Sequence, residues 1–206
     1  MDDKIFAKHL RKPEGEVGKA VGLIMNSINK SMNLTTYDKM NISQADRVLE
    51  IGFGNGAFIH HLFEINNDIS YTGIEISEVM IEEAKKNIRD ELNDKVKLIK
   101  SSSDSLKFNG SAFNKVCVIN TFYFWKNPMD DLKEIYRVLE DGSKLFISIR
   151  SKETMQKNSF SQYYFRLYTY NEISNLLQSA GYTNIAVTRC EESEKELDFL
   201  IISCQK

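Results

Sequence analysis

From Asp46 onward, short runs of aliphatic and β-branched residues alternate with stretches in which apolar residues recur every three or four positions. The run Arg47-Val48-Leu49-Glu50-Ile51-Gly52 reads as a buried strand ending in glycines. Phe58, Ile59, Leu62 and Phe63 then put a helix over Ala57 to Phe63. A second strand, Ser70 to Ile76, leads into Ser77 as the N-cap of a helix that continues to about Arg89, with Met80, Ala84 and Ile88 on one face and Glu82 spaced to pair with Lys86. Val96 to Ile99 makes a third strand and Lys115 to Asn120 a fourth.

The next helix has both ends written in the sequence: Asn127 as N-cap, Pro128 at the first position, Asp130 and Asp131 in the first turn, and Gly142 just past the end. Its inward stripe is Leu132, Ile135, Tyr136 and Leu139, and a fifth strand follows over Lys144 to Ile149. Thr169 and Glu172 form a capping box that opens a helix with Ile173, Leu176, Leu177 and Ala180 inward and Gly181 as terminator. Two β runs close the chain, Asn184 to Thr188 and Leu197 to Ser203, and the polar Glu191 to Glu196 between them suits a hairpin. Alternating βα units predict a parallel sheet covered by helices on both faces, with one antiparallel strand from the closing hairpin. The fold class expected is therefore α/β, a Rossmann-like three-layer sandwich. Ahead of the first strand, residues 14 to 40 read as helical through Val17, Val21, Ile24, Met25 and Ile28, although Gly15, Gly18 and Gly22 each cost about 1 kcal/mol against Ala. Residues 1–44 are expected to form an N-terminal helical extension of one domain spanning 1–206.

Composition narrows the partners. With 27 Lys+Arg against 29 Asp+Glu, the chain carries a net charge of -2 and has no overall basic field, so nucleic acid is not an expected partner. The three cysteines, Cys117, Cys190 and Cys204, are far apart in apolar runs. They read as reduced thiols rather than a disulfide framework or a metal cluster. The first residues, MDDKIFAKHLRKP, lack the apolar stretch of a signal peptide, and no segment approaches the roughly 18 apolar residues of a membrane span; a cytoplasmic protein is the expectation.

The first βα turn, Glu50-Ile51-Gly52-Phe53-Gly54-Asn55-Gly56, is where chemistry concentrates. Its glycines let the backbone turn sharply and approach a ligand without a Cβ in the way, and the following helix aims its first amides at whatever binds. The glycines alone do not separate a nicotinamide site from others, since Ala57 satisfies the sixth position of that fingerprint. With the acid Glu50 two residues before Gly52 and a second acid, Glu75, at the end of strand two, the layout resembles the class I S-adenosylmethionine-dependent methyltransferases.

That resemblance covers Asp46 to Arg150 well and Thr169 to Cys204 moderately. It implies a seven-stranded sheet of order 3-2-1-4-5-7-6 whose strand seven is antiparallel, and S-adenosyl-L-methionine as cofactor. Glu50 and the turn Gly52, Phe53, Gly54, Asn55 and Gly56 would bind it. Glu75, followed by Ile76, would accept both hydrogen bonds of the ribose diol. Ser102, Ser103 and Asp104 fall where the family has an acid on the adenine amino group; Ser102 stands at that acid's place, and either it or Asp104 makes the contact. Met25, Asn26 and Asn29 match a segment found ahead of strand one in a subset of small-molecule methyltransferases.

Asn120, at the carboxyl end of strand four, lies at the crevice where open α/β sheets bind ligands, and is expected to touch the methionine part of the cofactor or the substrate unless it only caps local backbone. Tyr123, Phe124 and Trp125 form either an aromatic wall beside the sulfonium or core under the next helix. His60 and His61 are neighbours on a helix, diverge by about 100° and cannot share a metal, so no metal site is expected. His9 reads as part of a solvated basic arm. The aromatic cluster from Phe160 to Tyr170 is a lid, a substrate wall or packing. No catalytic acid or base is assigned, although Tyr123 and His60 are weak candidates for a base. The functional expectation is in-line methyl transfer to a small-molecule acceptor. A non-catalytic cofactor-binding regulator and a nicotinamide-dependent oxidoreductase are the alternatives.

Overall fold

The computed structural model describes residues 1–192 and 197–206. Seven strands form one sheet in the order β3-β2-β1-β4-β5-β7-β6. Strands β1 (Arg47–Ile51), β2 (Ser70–Glu75), β3 (Val96–Lys100), β4 (Phe113–Ile119) and β5 (Leu139–Arg150) run parallel, while β7 (Leu197–Gln205) lies antiparallel between β5 and β6 (Thr183–Glu192). The order and the antiparallel strand agree with the Rossmann-like expectation. The expected hairpin connection, Glu191 to Glu196, falls at 193–196 outside the described residues.

Seven helices accompany the strands among the described residues: α1 (Asp3–Arg11), α2 (Gly15–Lys39), α3 (Ile59–Ile65), α4 (Glu78–Asn87), α5 (Pro128–Val138), α6 (Lys152–Gln156) and α7 (Tyr170–Ser179). The sheet is apolar on both faces, so β1 and β4 read as nearly continuous runs of buried residues. One face packs Leu49, Val116, Val118 and Ile147 against Leu132 and Ile135 of α5 and Ile173 and Leu177 of α7. The other packs Val48, Cys117 and Phe146 against Met32 and Tyr37 of α2, Leu62 of α3 and Ala84 of α4. None of the described helices is long and apolar enough to cross a membrane.

Several local expectations change. The first thirteen residues are not a solvated arm: Asp2 caps α1 by accepting from the Lys4 and Ile5 amides at 2.9 and 3.2 Å, and Lys8, His9 and Arg11 occupy its last turn. Phe6 stacks edge-on against Phe160 at 5.2 Å, which seats α1 on the segment after β5. Lys86 pairs with Glu83, three residues before it, at 2.7 Å rather than with Glu82. Gly142 does not terminate α5. The helix stops at Val138 because Leu139 is already extended and pairs with Phe113. Gly142, at φ +78°, instead sits within β5 near an irregularity in its pairing with β4. The capping box of Thr169 and Glu172 is present as expected.

Candidate active site

The carboxyl ends of β1, β2, β4 and β5 open onto one cavity of about 1040 Å³, over which α1 and α2 supply part of the wall as a roof. Hydrogen bonds tie that roof to the sheet and to α4. Ser77 Oγ donates to Pro13 O at 2.6 Å while also accepting from Met80 N as the cap of α4. Thr36 Oγ1 lies 2.6 Å from Ser148 Oγ of β5. Tyr37 donates to Glu50 Oε2 at 2.7 Å.

Within the glycine turn the three glycines do different work. Gly52 (φ +80°) would push a Cβ to 2.4 Å from Thr121 Oγ1, and Gly56 (φ +69°) would push one to 2.9 Å from the Ala84 Cβ. Both are required by close packing. Gly54 (φ +60°) faces the cavity, and a Cβ there meets no protein atom within 4 Å. Gly52, Phe53, Gly54 and Asn55 line the cavity, as do Glu75, Ile76, Ser102, Ser103, Asp104 and Asn120. Glu50 and Gly56, expected to contact the ligand, are not on the wall. The Glu50 carboxylate is 2% exposed and receives the hydroxyls of Tyr37 and Tyr71 (2.8 Å) on the same oxygen. Burial raises its pKa to about 7 against the opposing pull of the two tyrosines. Its place is beneath the turn, tying α2 and β2 to β1.

Glu75 accepts from Gly54 N at 3.1 Å and from Ile76 N and Ser77 N at 2.8 and 2.9 Å. Burial raises its pKa, and those three amides pull the other way. The same contacts shape the turn from which Gly54 faces the cavity. Ser103 turns inward and donates to Asp131 of α5, which also lines the cavity. Burial, helped by Asp104 and Asp130 nearby, raises the Asp131 pKa to about 6 despite the Ser103 hydroxyl. The β2–β3 side of the cavity is thus acidic.

The β4–β5 side is aromatic and amide-rich. Phe124 and Trp125 line it, whereas Tyr123 does not. Rings of Phe124, Phe165 and Phe160 follow one another with centroids 4.6 and 5.9 Å apart, so the aromatic segment after β5 is partly wall. Its Tyr168 is core, packed on Phe122. The expected weak bases are corrected. The Tyr123 hydroxyl is buried, which pushes its pKa up, and it is occupied by protein partners. His60 is not on the wall, and its neighbour His61 sits between Asp38 (2.9 Å) and Glu64 (3.3 Å). His9, by contrast, is buried and lines the cavity, with Nδ1 accepting from Glu14 N at 3.3 Å. Arg150 and Asn33 are further wall residues that sequence reasoning missed.

Residues 49–147 match the family model for a methyltransferase domain. The chain is 30% identical over 132 residues to the uncharacterized methyltransferase YdaC of Bacillus subtilis, covering 64% of this chain and 71% of that protein. Among solved structures it is similar to a putative methyltransferase in complex with the Haloferax volcanii Trm112 methyltransferase activator. There the TM-score is 0.81, the identity 15%, and the coverage 97% of this chain and 96% of that one. It is also similar to Haemonchus contortus phosphoethanolamine N-methyltransferase 2 in complex with S-adenosyl-L-methionine, with a TM-score of 0.73, 16% identity, and 85% of this chain and 52% of that one covered. At such identities the structural likenesses speak for the fold.

Proposed function

The chain belongs to the class I S-adenosylmethionine-dependent methyltransferases, and from that premise we propose that it methylates a small-molecule acceptor held beside the cofactor under α1 and α2. Membership sets the nicotinamide-dependent alternative aside. The cavity supports the small-molecule reading: its volume of about 1040 Å³ accommodates a nucleoside cofactor with a compact second ligand, and residues of α1 and α2 line part of it. The residues fit the cofactor. Gly54 leaves a cradle that a Cβ would fill, and Glu75 is a buried carboxylate on the wall beside it.

In this reading Gly52, Phe53, Gly54 and Asn55 form the floor under the methionine part and Glu75 receives the ribose hydroxyls, with Ile76 beside them. Ser102, Ser103 and Asp104 border the base, and Asn120 borders the reacting end. Glu50 and Gly56 support the turn from behind. When bound, the cofactor supplies a methyl group on a positive sulfur, already a strong electrophile. The chain's own task is to align the acceptor and exclude water, and orientation of this kind is worth about 7–11 kcal/mol. Phe124 and Trp125 offer π faces to the sulfonium. His9 is not placed to take a proton at Nδ1, since that atom accepts from Glu14 N, which leaves the hydrogen of the neutral ring on Nε2. Residues 1–206 are proposed to work as one unit in the cytoplasm, with 1–44 supplying the roof.

The observation that carries this reading is the vacant space before Gly54 beside a buried carboxylate. Calorimetry with S-adenosylhomocysteine, with NAD and NADP as controls, tests the cofactor half. A screen of small acceptors for production of S-adenosylhomocysteine tests the rest. Selective binding with turnover of a small acceptor is expected, whereas turnover only of a protein or nucleic acid would refute the small-molecule assignment.

A further inference from the structure

The face of α2 that turns away from the cavity carries a regular pattern. Val21, Met25 and Ile28 line the cavity from the helix's inner side. On its outer side Glu16, Ala20, Leu23, Ser27 and Lys30 are all exposed, and they recur at intervals of four and three residues over about four turns. Val17 and Ile24, seven residues apart, form one margin of that stripe, and Lys19 and Asn26 form the other. Leu23, Ile24 and Val17 are 66%, 52% and 43% exposed. After the terminal Met1, Leu23 and Ile24 are the most exposed large apolar side chains among the described residues. Helix α2 is also weakened from within. Gly18 and Gly22 are poor helix formers, and a Cβ at Gly18 would fall 2.7 Å from Pro13 C, so packing against the outer face has a helix to stabilise.

The charges at the two ends of the stripe are opposite, and Glu16 and Lys30 each lie seven residues from Leu23. Glu16 gives one oxygen to Lys19 at 2.7 Å while its side chain stays 87% exposed, and Lys30 has no ion-pair partner among the described residues. A second α2 laid antiparallel across a twofold axis at Leu23 sets Leu23 against Leu23, and Glu16 of each helix against Lys30 of the other. It also sets the Val17 and Ile24 margin against the same margin of its mate. A parallel pair would instead set that margin against Lys19 and Asn26, with Glu16 facing Glu16 and Lys30 facing Lys30. Ala20 and Ser27 are small enough to let the two backbones approach. An anionic lipid surface fits this stripe less well, since its Lys is balanced by a Glu.

We propose that the outer face of α2 is a homodimer interface, in which the α2 helices of two copies of this chain pair antiparallel about Leu23. Such an interface is self-complementary and closes at two copies. Each α2 then has the cavity on one side and its mate on the other, so the pairing braces the roof of both cavities. It is independent of the identity of the acceptor.

Sedimentation velocity of the full chain in low salt, over a micromolar dilution series, measures the association, and circular dichroism with thermal unfolding certifies that each variant is folded. The substituted side chains are all exposed, so the fold should tolerate them. Wild type is expected to dimerise with rising concentration. Leu23→Glu places like charges at the twofold axis and should weaken the dimer at least about tenfold. Glu16→Lys and Lys30→Glu each turn two attractions into repulsions and should weaken it by roughly three- to tenfold. Glu16→Lys combined with Lys30→Glu restores both pairs and should return to within about twofold of wild type, and high salt should erase the differences among the charge variants. A wild type that stays monomeric, a dimer indifferent to Leu23→Glu, or a double variant no tighter than the single ones would overturn the pairing. Monomeric wild type that co-sediments with phosphatidylglycerol vesicles, and is released from them by Leu23→Glu, would assign the face to lipid and overturn it equally.

Discussion

Replacing Gly54 and Gly52 separately by alanine distinguishes a glycine kept for a ligand from one kept for the fold. Both residues have positive φ, +60° and +80°, so each alanine incurs a left-handed backbone cost of roughly 1–2 kcal/mol. In a domain of this size about 1 kcal/mol moves Tm by roughly 2–4 °C, which puts the Gly54→Ala melting point about 2–8 °C below wild type. Gly52→Ala adds a collision, since its Cβ falls 2.4 Å from Thr121 Oγ1 and 2.8 Å from Thr121 Cγ2. Backbone must move, and the loss should exceed about 3 kcal/mol. The ligand response runs the other way. S-adenosylhomocysteine at 100 times its Kd stabilises wild type by about 2.7 kcal/mol, or roughly 5–11 °C. Gly54→Ala fills the space where the ligand would approach the turn, and a tenfold loss of affinity, about 1.4 kcal/mol, is the least expected. Thermal unfolding with and without S-adenosylhomocysteine, followed by calorimetry, measures both quantities. Gly54→Ala showing the full ligand-induced shift, or Gly52→Ala melting no lower than Gly54→Ala, would refute the division of labour.

Three other outcomes are expected. Burial raises Glu50 from 4.5 to about 7, so the stability from binding its proton is fully present below the unfolded value and is lost as pH rises through 7. That difference is worth roughly 3 kcal/mol, and Glu50→Gln should remove it. The variant therefore gains on wild type between pH 5 and pH 8 in denaturant titrations, and a pH-independent difference would contradict this. Glu75→Ala should weaken S-adenosylhomocysteine binding by roughly 1.5–3 kcal/mol or more, because it removes a charged acceptor and releases the Gly54, Ile76 and Ser77 amides together. Unchanged affinity in a folded variant would take Glu75 out of the site. Thr169→Ala, which breaks an exposed capping box at the start of α7, should cost about 1 kcal/mol, lower Tm by about 2–4 °C and leave ligand affinity alone.

The strands and their glycine and proline punctuation were legible because a sheet buried on both faces writes continuous apolar runs, and caps such as Ser77 and Thr169 mark where helices begin. Gly142 misled for a physical reason. A glycine with positive φ serves a bulge within a strand as readily as a helix end, and only the pairing of Leu139 with Phe113 distinguishes them. Helix α1 was hidden by its charge, although its signals were present: Asp2 as cap, Asp3 in the first turn, basic residues in the last, and Pro13 after it. Glu50 was read as a ligand contact because sequence gives its spacing from the glycines but not the two tyrosines that enclose it, one from α2 and one from β2. The partnership of Arg150 with Asn29 and Tyr123 joins residues distant in the chain, and no local pattern encodes it.

The matched family segment, 49–147, begins within β1 and ends within β5, so it holds the glycine turn, Glu75 and the Ser102–Asp104 edge. Much of the opposite wall comes from outside it: His9 and Arg11 of α1, Asn29 and Asn33 of α2, Arg150, and Phe160 and Phe165 beyond β5. These outer segments are bound to one another and to the shared core, by Phe6 on Phe160, by Arg150 on Ile28, and by Ser77 on Pro13. A change of acceptor therefore requires concerted change at both ends of the chain, while the cofactor floor stays as it is. It follows that exchanging α1 and α2 alone with those of a relative should leave S-adenosylhomocysteine binding measurable but abolish turnover of either parent's acceptor. Exchanging 1–44 and 150–168 together should transfer acceptor choice. Transfer of specificity by the middle segment alone would show that the acceptor is read by the sheet ends and not by the roof.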